Sequence, residues 1–194
     1  MPHRSLSPRL LPPLPVHALL FALALSTSSS ACANDLPSGP SLSRERATAL
    51  HVGQHIPAAP EVDASGELSR PIERSAPAFS ELVRCGDPHI IFKDEERTGA
   101  DRMMTPRLES RLERLSRLVR EHWKGVELRV TEAWDENHEH GQRSLHYAGR
   151  AADLTTSDLD PGKLGTLARL AVDAGFDWVF YEDESHVHVS VRRR

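Results

Sequence analysis

The sequence predicts an α+β fold in which a mainly antiparallel sheet packs against two main helices. Two observations support this prediction. Two segments carry apolar residues at helical spacing, and several shorter segments carry the apolar patterns of strands. From residue 106 onwards the predicted order is helix, strand, strand, helix, strand, strand, which indicates a mixed domain around one sheet.

Both predicted helices begin at a capping residue followed by a proline. Thr105-Pro106 opens the first, and apolar residues follow at spacings of four, three and four, so this helix should cover about 106–122. Asp160-Pro161 opens the second, which carries leucines and alanines on one face and should end at Gly175.

The predicted strands are short apolar or alternating segments. The segment 126–131 alternates Val-Glu-Leu-Arg-Val-Thr, the pattern of a half-buried strand. The other strands are predicted at 89–92, 151–155, 178–181 and 186–191.

The chain divides by composition into three parts. Residues 1–33 have a basic start, an apolar segment and the small-residue site Ala31-Cys32-Ala33, and are predicted to be an export signal. Residues 34–78 are rich in Pro, Ser, Ala and Gly and are predicted to be a flexible linker. Residues 79–194 hold most of the remaining aromatic and β-branched residues and are predicted to be the folded domain.

An exported protein is expected in the periplasm, in the cell envelope or outside the cell. The Ser-Ser-Ala-Cys32 segment also resembles a degenerate bacterial lipobox, but Ser29 replaces the usual leucine, so cleavage after Ala33 is favoured over a lipid on Cys32. That lipid is the only membrane contact expected, because no later segment approaches the roughly 20 apolar residues of a membrane span.

Charge and cysteine content argue against a nucleic-acid-binding protein and against a fold held by disulfides. The formal net charge is −4 and the only basic block is the final three arginines, which argues against a nucleic-acid partner. If Cys32 is removed with the signal, Cys85 remains alone and no intramolecular disulfide is possible.

Histidines are concentrated in the second half of the chain. Five of the 11 fall in two clusters, at 138, 140 and 146 and at 186 and 188. A zinc ion with an open position needs three histidine or carboxylate ligands. His146 and Asp153, seven residues later, suit such a site. Either His186 or His188 could complete it, since both point to one face of a strand.

Acidic side chains indicate two further features. A carboxylate near a zinc-bound water could act as general base, and Glu182 is the best candidate, with Asp183 and Glu184 as rivals. Two acidic loops could jointly supply oxygen ligands to calcium, or could be separate solvated loops. Their members are Glu95, Glu96, Asp101, Glu132, Asp135, Glu136 and Asn137.

Several ordered motifs resemble one family. They are Ile-Ile-Phe-Lys-Asp-Glu-Glu with Thr-Gly-Ala-Asp101, Leu-Arg-Val-Thr-Glu-Ala-Trp-Asp135, Ser-Leu-His146-Tyr-Ala-Gly-Arg-Ala-Ala-Asp153, Ala-Gly-Phe-Asp-Trp-Val179 and His186-Val-His188. Over about 86–191 the chain resembles the amino-terminal signalling domain of Hedgehog proteins. The resemblance implies that His146, Asp153 and His188 bind zinc, with Glu182 at a general-base position and His140 beside the metal-bound water.

The resemblance also implies a calcium site with one or two ions. Its ligands would be Glu95, Glu96, Asp101, Glu132, Asp135 and Asn137, with the carbonyl oxygen of Thr131. Asn137 occupies a position where animal members carry aspartate. The substitution keeps an oxygen ligand but removes a charge, so weaker calcium binding is expected.

Two functions follow from this resemblance. The domain is also similar to zinc D-alanyl-D-alanine carboxypeptidases and lysostaphin-type peptidases. The first hypothesis is therefore a bacterial-type, exported, calcium-modulated zinc peptidase acting on peptidoglycan peptides. The alternative is a non-catalytic Hedgehog-like signalling module in which zinc is structural and a protein partner binds at the calcium face.

Overall fold

The computed structural model describes residues 48–193. The predicted signal, Cys32 and residues 34–47 lie outside the described residues. The described α-helices are α1 (Glu61–Ser65), α2 (Pro106–His122) and α3 (Leu164–Ala174). The described strands are β1 (His55–Ile56), β2 (Val83–Arg84), β3 (Ile90–Phe92), β4 (Met103–Met104), β5 (Leu128–Glu132), β6 (Ala151–Thr156), β7 (Trp178–Phe180) and β8 (Val187–Ser190).

A six-stranded sheet forms the centre of the domain. Its strand order is β1-β7-β8-β6-β5-β3, and every pair is antiparallel except β3 with β5. Strands β2 and β4 form a separate two-stranded ribbon. The predicted α+β class with a mainly antiparallel sheet is confirmed.

Helix α2 forms where its sequence predicts. The Thr105 hydroxyl accepts a hydrogen bond from the Leu108 amide at the helix start, and Pro106 occupies the first turn. One apolar face is fully buried, comprising Leu108, Leu112, Leu115 and Val119. Burying such side chains contributes about 1.5–3 kcal/mol each, so packing rather than intrinsic propensity holds the helix.

Helix α3 packs beside α2 and ends as predicted. Gly175 follows it with φ +87°, a left-handed conformation that favours glycine, and its amide bonds the carbonyls of Ala171 and Val172. Within residues 48–193, no helix has the length and apolar character that crossing a bilayer requires.

Residues 48–78 are folded and do not form the predicted flexible linker. The domain therefore begins before the predicted boundary at residue 79. Leu50, Ala64 and Ile72 are buried. The Leu50 amide donates to the Gly165 carbonyl at 2.9 Å, and a side chain at Gly165 would meet the Leu50 carbonyl oxygen at 2.3 Å. This segment is therefore part of the folded domain.

The order of this segment comes from backbone contacts that composition does not reveal. The indole nitrogen of Trp134 donates to the Ile72 carbonyl at 3.1 Å, and that of Trp178 donates to the Ala59 carbonyl at 2.9 Å. The buried Arg150 guanidinium donates to the carbonyls of Ser65 and Glu67. Because these partners belong to later parts of the chain, the segment needs little apolar periodicity of its own.

Cys85 should be protected from thiol reagents in the folded domain. Its side chain is 1% exposed, and burial raises the pKa of its thiol, while the thiolate is the reactive form. In a Cys32→Ser variant, we expect a chromogenic disulfide to label Cys85 at least about tenfold more slowly before unfolding than after it. Rapid labelling of the folded protein would contradict this packing.

Candidate functional site

Two neighbouring strands bring a carboxylate and a histidine together. In the antiparallel pair β6 and β8, Asp153 lies directly opposite His188. Opposed residues project to the same face of a sheet. The Nδ1 atom of His188 consequently lies 3.0 Å from Oδ1 of Asp153.

A second histidine enters the same place from a turn. His146 lies in the 3-10 turn Leu145–Ala148, where its amide donates to the Ser144 hydroxyl. The ring is fully buried, and its Nδ1 lies 2.7 Å from the Ala133 carbonyl oxygen. A carbonyl can only accept, so Nδ1 carries the hydrogen and Nε2 presents a lone pair.

Three potential ligand atoms converge around one point. Nε2 of His146 lies 3.3 Å from Nδ1 of His188 and 3.5 Å from Oδ1 of Asp153. With the 3.0 Å contact between His188 and Asp153, these atoms form a compact triangle. The structure thus brings together the three residues predicted to share a metal.

The triangle favours a positive charge. Burial alone would lower the pKa of His188, but hydrogen bonds to Asp153 and Glu61 raise it to about 10. Burial opposes ionisation of Asp153, yet the neighbouring histidines hold the pKa of its carboxyl well below the usual range. Burial lowers the pKa of His146. A proton on His188 or a metal ion at the triangle would supply this positive charge.

His140 lies beside this triangle. Its ring stacks on that of His146 with centroids 4.2 Å apart, and its Nε2 lies 3.7 Å from Oδ2 of Asp153. His140, His146 and Asp153 therefore also form a group that could hold a metal. His188 approaches Asp153 more closely than His140 does, because its Nδ1 lies 3.0 Å from Oδ1, the atom that His146 also faces. The neighbouring carboxylates, Asp153 at 3.7 Å and Asp135 at 2.9 Å, raise the pKa of His140 to about 9.

Glu182 is less favourably placed for its predicted role as a general base beside the metal. Its carboxylate is exposed, and Oε2 lies 3.3 Å from Nε2 of His186. His186 in turn lies 3.9 Å from Oδ1 of Asp153, at the edge of the group. The hydrogen bonds described for Glu182 therefore reach His186 and not the three convergent side chains.

A small acidic cavity adjoins the histidine cluster. Glu132, Asp135 and His140 place ligand atoms within 4.8 Å of one another. Five predicted calcium ligands line the cavity, namely Glu96, Asp101, Glu132, Asp135 and Asn137. Glu95 does not line it but pairs with Lys93 at 2.7 Å, and Thr131 lies with Glu95 on a neighbouring groove.

Backbone hydrogen bonds hold two of these carboxylates in place. The Asp135 carboxylate accepts from the amides of residues 137, 138, 139 and 140 and contacts Nδ1 of His140 at 2.9 Å. Asp101 accepts from the amides of Asp94 and Ala133. The backbone of the loops thus holds these carboxylate oxygens in place without the help of a cation.

Two acidic groups in the cavity carry raised pKa values. Burial raises the pKa of Asp101 to about 6, and Glu96 and Asp94 add repulsion. Burial also raises the pKa of Glu132 to about 7, with Asp135, Asp153 and Asp101 opposing its charge and His140 favouring it. A bound cation would relieve this repulsion.

Some residues of the site were not predicted from the sequence. Glu61 contacts the second nitrogen of His188 at 3.0 Å, and the Ala133 carbonyl orients His146. Glu136 and Glu139 also line the acidic cavity, where Arg74 binds Glu136 at 2.6 Å. The acidic composition of 132–139 hints at Glu136 and Glu139, whereas no sequence signal identifies Glu61.

Comparison with known proteins finds one matching family model and several similar proteins. Residues 33–190 match the family model described as Hedgehog amino-terminal signalling domain. The chain is 49% identical to Sonic hedgehog protein of Danio rerio over 175 residues, covering 89% of this chain and 42% of that protein. It is 55% identical to Indian hedgehog protein of Gallus gallus over 141 residues, covering 72% and 35% respectively.

An insect relative gives the same result. The chain is 47% identical to Protein hedgehog of Drosophila persimilis over 180 residues, which cover 90% of this chain and 37% of that protein. The chain therefore spans about two fifths of the length of the curated relatives that it matches.

These comparisons correct the first functional hypothesis. The hedgehog names and the signalling description contradict a metallopeptidase or other hydrolase that takes peptidoglycan peptides as substrates. The error arose because a His, Asp, His ligand set suits structural and catalytic zinc alike. The individual metal ligands, and the positions of Glu182 and His140, remain predictions.

Proposed function

Because this chain belongs to the Hedgehog amino-terminal signalling domain family, we propose that it is an exported signalling module that binds a protein partner. In this proposal zinc is structural and calcium shapes the partner surface. The observation that carries it is the family match over residues 33–190, together with the identities to hedgehog proteins. Residues 1–33, with the composition of an export signal, support a place outside the cytoplasm.

His146, Asp153 and His188 are the proposed zinc ligands. In tetrahedral coordination at about 2.0–2.1 Å, neighbouring ligand atoms lie about 3.3 Å apart. The three contacts of the triangle, 3.3, 3.5 and 3.0 Å, match this spacing closely. Two nitrogens and one carboxylate oxygen are also the donor types that zinc prefers.

The acidic cavity is the proposed calcium site. Calcium prefers several oxygen ligands, and the cavity offers six carboxylates, four of them predicted ligands, together with the Asn137 amide. Calcium would offset the burial and the added repulsion that raise the pKa values of Asp101 and Glu132. Asn137, His138 and Glu139 are exposed on the same loop, so the ion would fix a surface that a protein partner can contact.

Bound zinc would make this part of the domain more rigid by joining separate elements of the fold. It would tie the turn that carries His146 to strands β6 and β8. Strand β5 lies next to β6 and leads into the acidic loop, and the Thr131 hydroxyl donates to the Asp153 carbonyl at 3.1 Å. The two metal sites therefore share one framework, which supports a common role in shaping the surface.

Two matched substitutions test the proposed function. Glu132→Gln removes one charge from the calcium cavity, whereas Glu182→Gln removes one from the exposed turn beside His186. In cells that respond to a Sonic hedgehog protein, we expect a transcriptional reporter to lose at least about tenfold in potency with Glu132→Gln, because a coordinating charge is lost. We expect unchanged potency with Glu182→Gln.

The converse pattern would contradict the proposal. If Glu182→Gln abolished the response while Glu132→Gln preserved it, the functional group would be the turn and not the calcium cavity. Circular dichroism on both variants controls for folding, and added calcium should partly restore the response to Glu132→Gln.

A further inference from the structure

Helix α1 brings a carboxylate to the outer side of the His188 ring. Oε1 of Glu61 lies 3.0 Å from Nε2 of His188, although the two residues are 127 positions apart in the chain. The Glu61 side chain is 28% exposed and that of His188 is 12% exposed. The contact is thus largely sheltered from water and depends on the tertiary fold.

The two nitrogens of His188 face different partners. Nδ1 faces Asp153 and His146, whereas Nε2 faces Glu61. A neutral imidazole carries one hydrogen, and a carboxylate acceptor keeps that hydrogen on the nitrogen it contacts. Asp153 contacts Nδ1 at the same 3.0 Å distance, so the tautomer is decided when a metal ion takes the place of the Nδ1 hydrogen. Glu61 then keeps the remaining hydrogen on Nε2 and leaves the lone pair on Nδ1. His146 has the opposite tautomer, because the Ala133 carbonyl holds the hydrogen on its Nδ1.

We propose that Glu61 is a positioning residue for the metal centre, which holds His188 with Nδ1 directed at the ion. The inference rests on the proposed zinc site and adds a residue outside its predicted ligand set. A carboxylate on the second nitrogen both fixes the ring and increases its basicity as a ligand. A segment predicted to be a linker would then contribute directly to metal affinity.

Helix α1 is itself held firmly enough to define the position of Glu61. The Ser190 hydroxyl donates to the Ser65 hydroxyl at 2.8 Å, and the guanidinium of Arg192 donates to the Ala64 carbonyl at 2.6 Å. Arg150 donates to the Ser65 carbonyl. These contacts tie α1 to strand β8, which carries His188, to Arg192 just after it and to Arg150 just before β6.

The Trp178 ring limits the movement of His188 from a third side. The two rings are nearly perpendicular, with centroids 5.8 Å apart. The Trp178 indole nitrogen also donates to the Ala59 carbonyl, just before α1. The His188 ring is thus enclosed by Trp178, Glu61 and Asp153, and loss of Glu61 would free its Nε2 without removing the other contacts.

Zinc affinity by chelator competition provides the first test. We expect Glu61→Ala to weaken zinc binding by about 10- to 100-fold and Glu61→Gln, which keeps a hydrogen-bond acceptor, to weaken it less. The matched control is Asp63→Asn, which removes a charge from an exposed position on the same helix. Zinc affinity for the Glu61 variants within about twofold of the wild type would overturn the inference.

Nitrogen NMR of the zinc-loaded protein provides a readout that a purely structural role would not change. In the wild type and Asp63→Asn, we expect zinc on Nδ1 of His188 and a slowly exchanging hydrogen on Nε2. In Glu61→Ala, we expect rapid exchange of that hydrogen or zinc on Nε2. Unchanged spectra would overturn the inference.

The two tests separate the two levels of the proposal. If the wild type binds no zinc, the proposed site fails and the inference fails with it. If the wild type binds zinc and the Glu61 variants match it in affinity and in ligating nitrogen, only the role of Glu61 fails. Circular dichroism identifies any unfolded variant. If Glu61→Ala is unfolded, the comparison is made with Glu61→Gln, which preserves side-chain size.

Discussion

Asp153→Ala should abolish zinc binding by the domain and remove the stabilisation that zinc provides. The carboxylate lies within 3.0 Å of His188 and 3.5 Å of His146, so its removal leaves two histidines without their shared anionic partner. At a zinc concentration about 100 times Kd, binding to the native state adds about 2.7 kcal/mol, or roughly 5–10 °C in Tm for a domain of this size. Calorimetry with and without zinc should show that increase for the wild type and none for the variant.

His186→Ala is the matched control for this prediction. His186 lies 3.9 Å from Oδ1 of Asp153 but its Nε2 faces Glu182, so it is near the site without joining the triangle. We expect this variant to retain one zinc ion and the increase in Tm. Retention of zinc by Asp153→Ala, or its loss from His186→Ala, would exclude the proposed ligand set.

Calcium affinity should fall by on the order of 10- to 100-fold between pH 7.5 and pH 5.5, because protons compete with the ion for raised-pKa carboxyls. The pKa of Glu132 is raised to about 7 and that of Asp101 to about 6. Both groups are mainly ionised at pH 7.5 and mainly protonated at pH 5.5. Carboxyls with ordinary pKa values would remain ionised over the same interval. Isothermal titration calorimetry at the two pH values measures the effect.

The free energy of unfolding of the calcium-free domain should also depend on pH through Glu132 and Asp101. A carboxyl whose pKa is raised by folding binds more protons in the folded state, so its contribution to stability decreases as pH rises. For Glu132 this decrease covers the interval from its usual pKa of 4.5 to the raised pKa of about 7. Calcium should therefore increase Tm more at pH 7.5 than at pH 5.5.

Glu132→Gln and Asp173→Asn separate this effect from general changes in charge. Glu132→Gln should lower calcium affinity at pH 7.5 and reduce its dependence on pH. Asp173 pairs with Arg169 on helix α3 and should have no influence on either property. An affinity that does not change between the two pH values would show that Glu132 and Asp101 are not ligands.

The predicted helices and strands matched the structure where local patterns determine them. Helix α2 has its capping threonine, its first-turn proline and a continuous apolar face within 17 residues. Strands β5 and β6 likewise begin within two residues of their predicted starts. Such elements are specified by neighbouring residues, and the periodicity of the sequence therefore reveals them.

The first part of the domain could not be predicted in this way. Strand β1 has two residues and α1 has five, which is too short for a periodic pattern. Their stability comes from partners far along the chain, such as Trp178 for the Ala59 carbonyl and Gly165 for Leu50. Composition described the polarity of this segment correctly but did not report these distant contacts.

The candidate site was predicted to a similar, partial extent. His146, Asp153 and His188 were identified as a potential zinc set through residue type and family resemblance. Strands β6 and β8 and the turn that carries His146 bring them together. Glu61 was missed because its relation to His188 exists only after α1 packs beside β8. The peptidase hypothesis was wrong, since ligand identity does not distinguish a structural ion from a catalytic one.

Anomalous diffraction at the zinc absorption edge, on crystals of the zinc-loaded domain, is the most direct test of the metal centre. We predict one strong peak bounded by Nε2 of His146, Oδ1 of Asp153 and Nδ1 of His188, with Glu61 hydrogen-bonded to Nε2 of the same His188 ring. A peak between Glu132, Asp135 and His140 instead, or no peak near Asp153, would contradict the proposed centre.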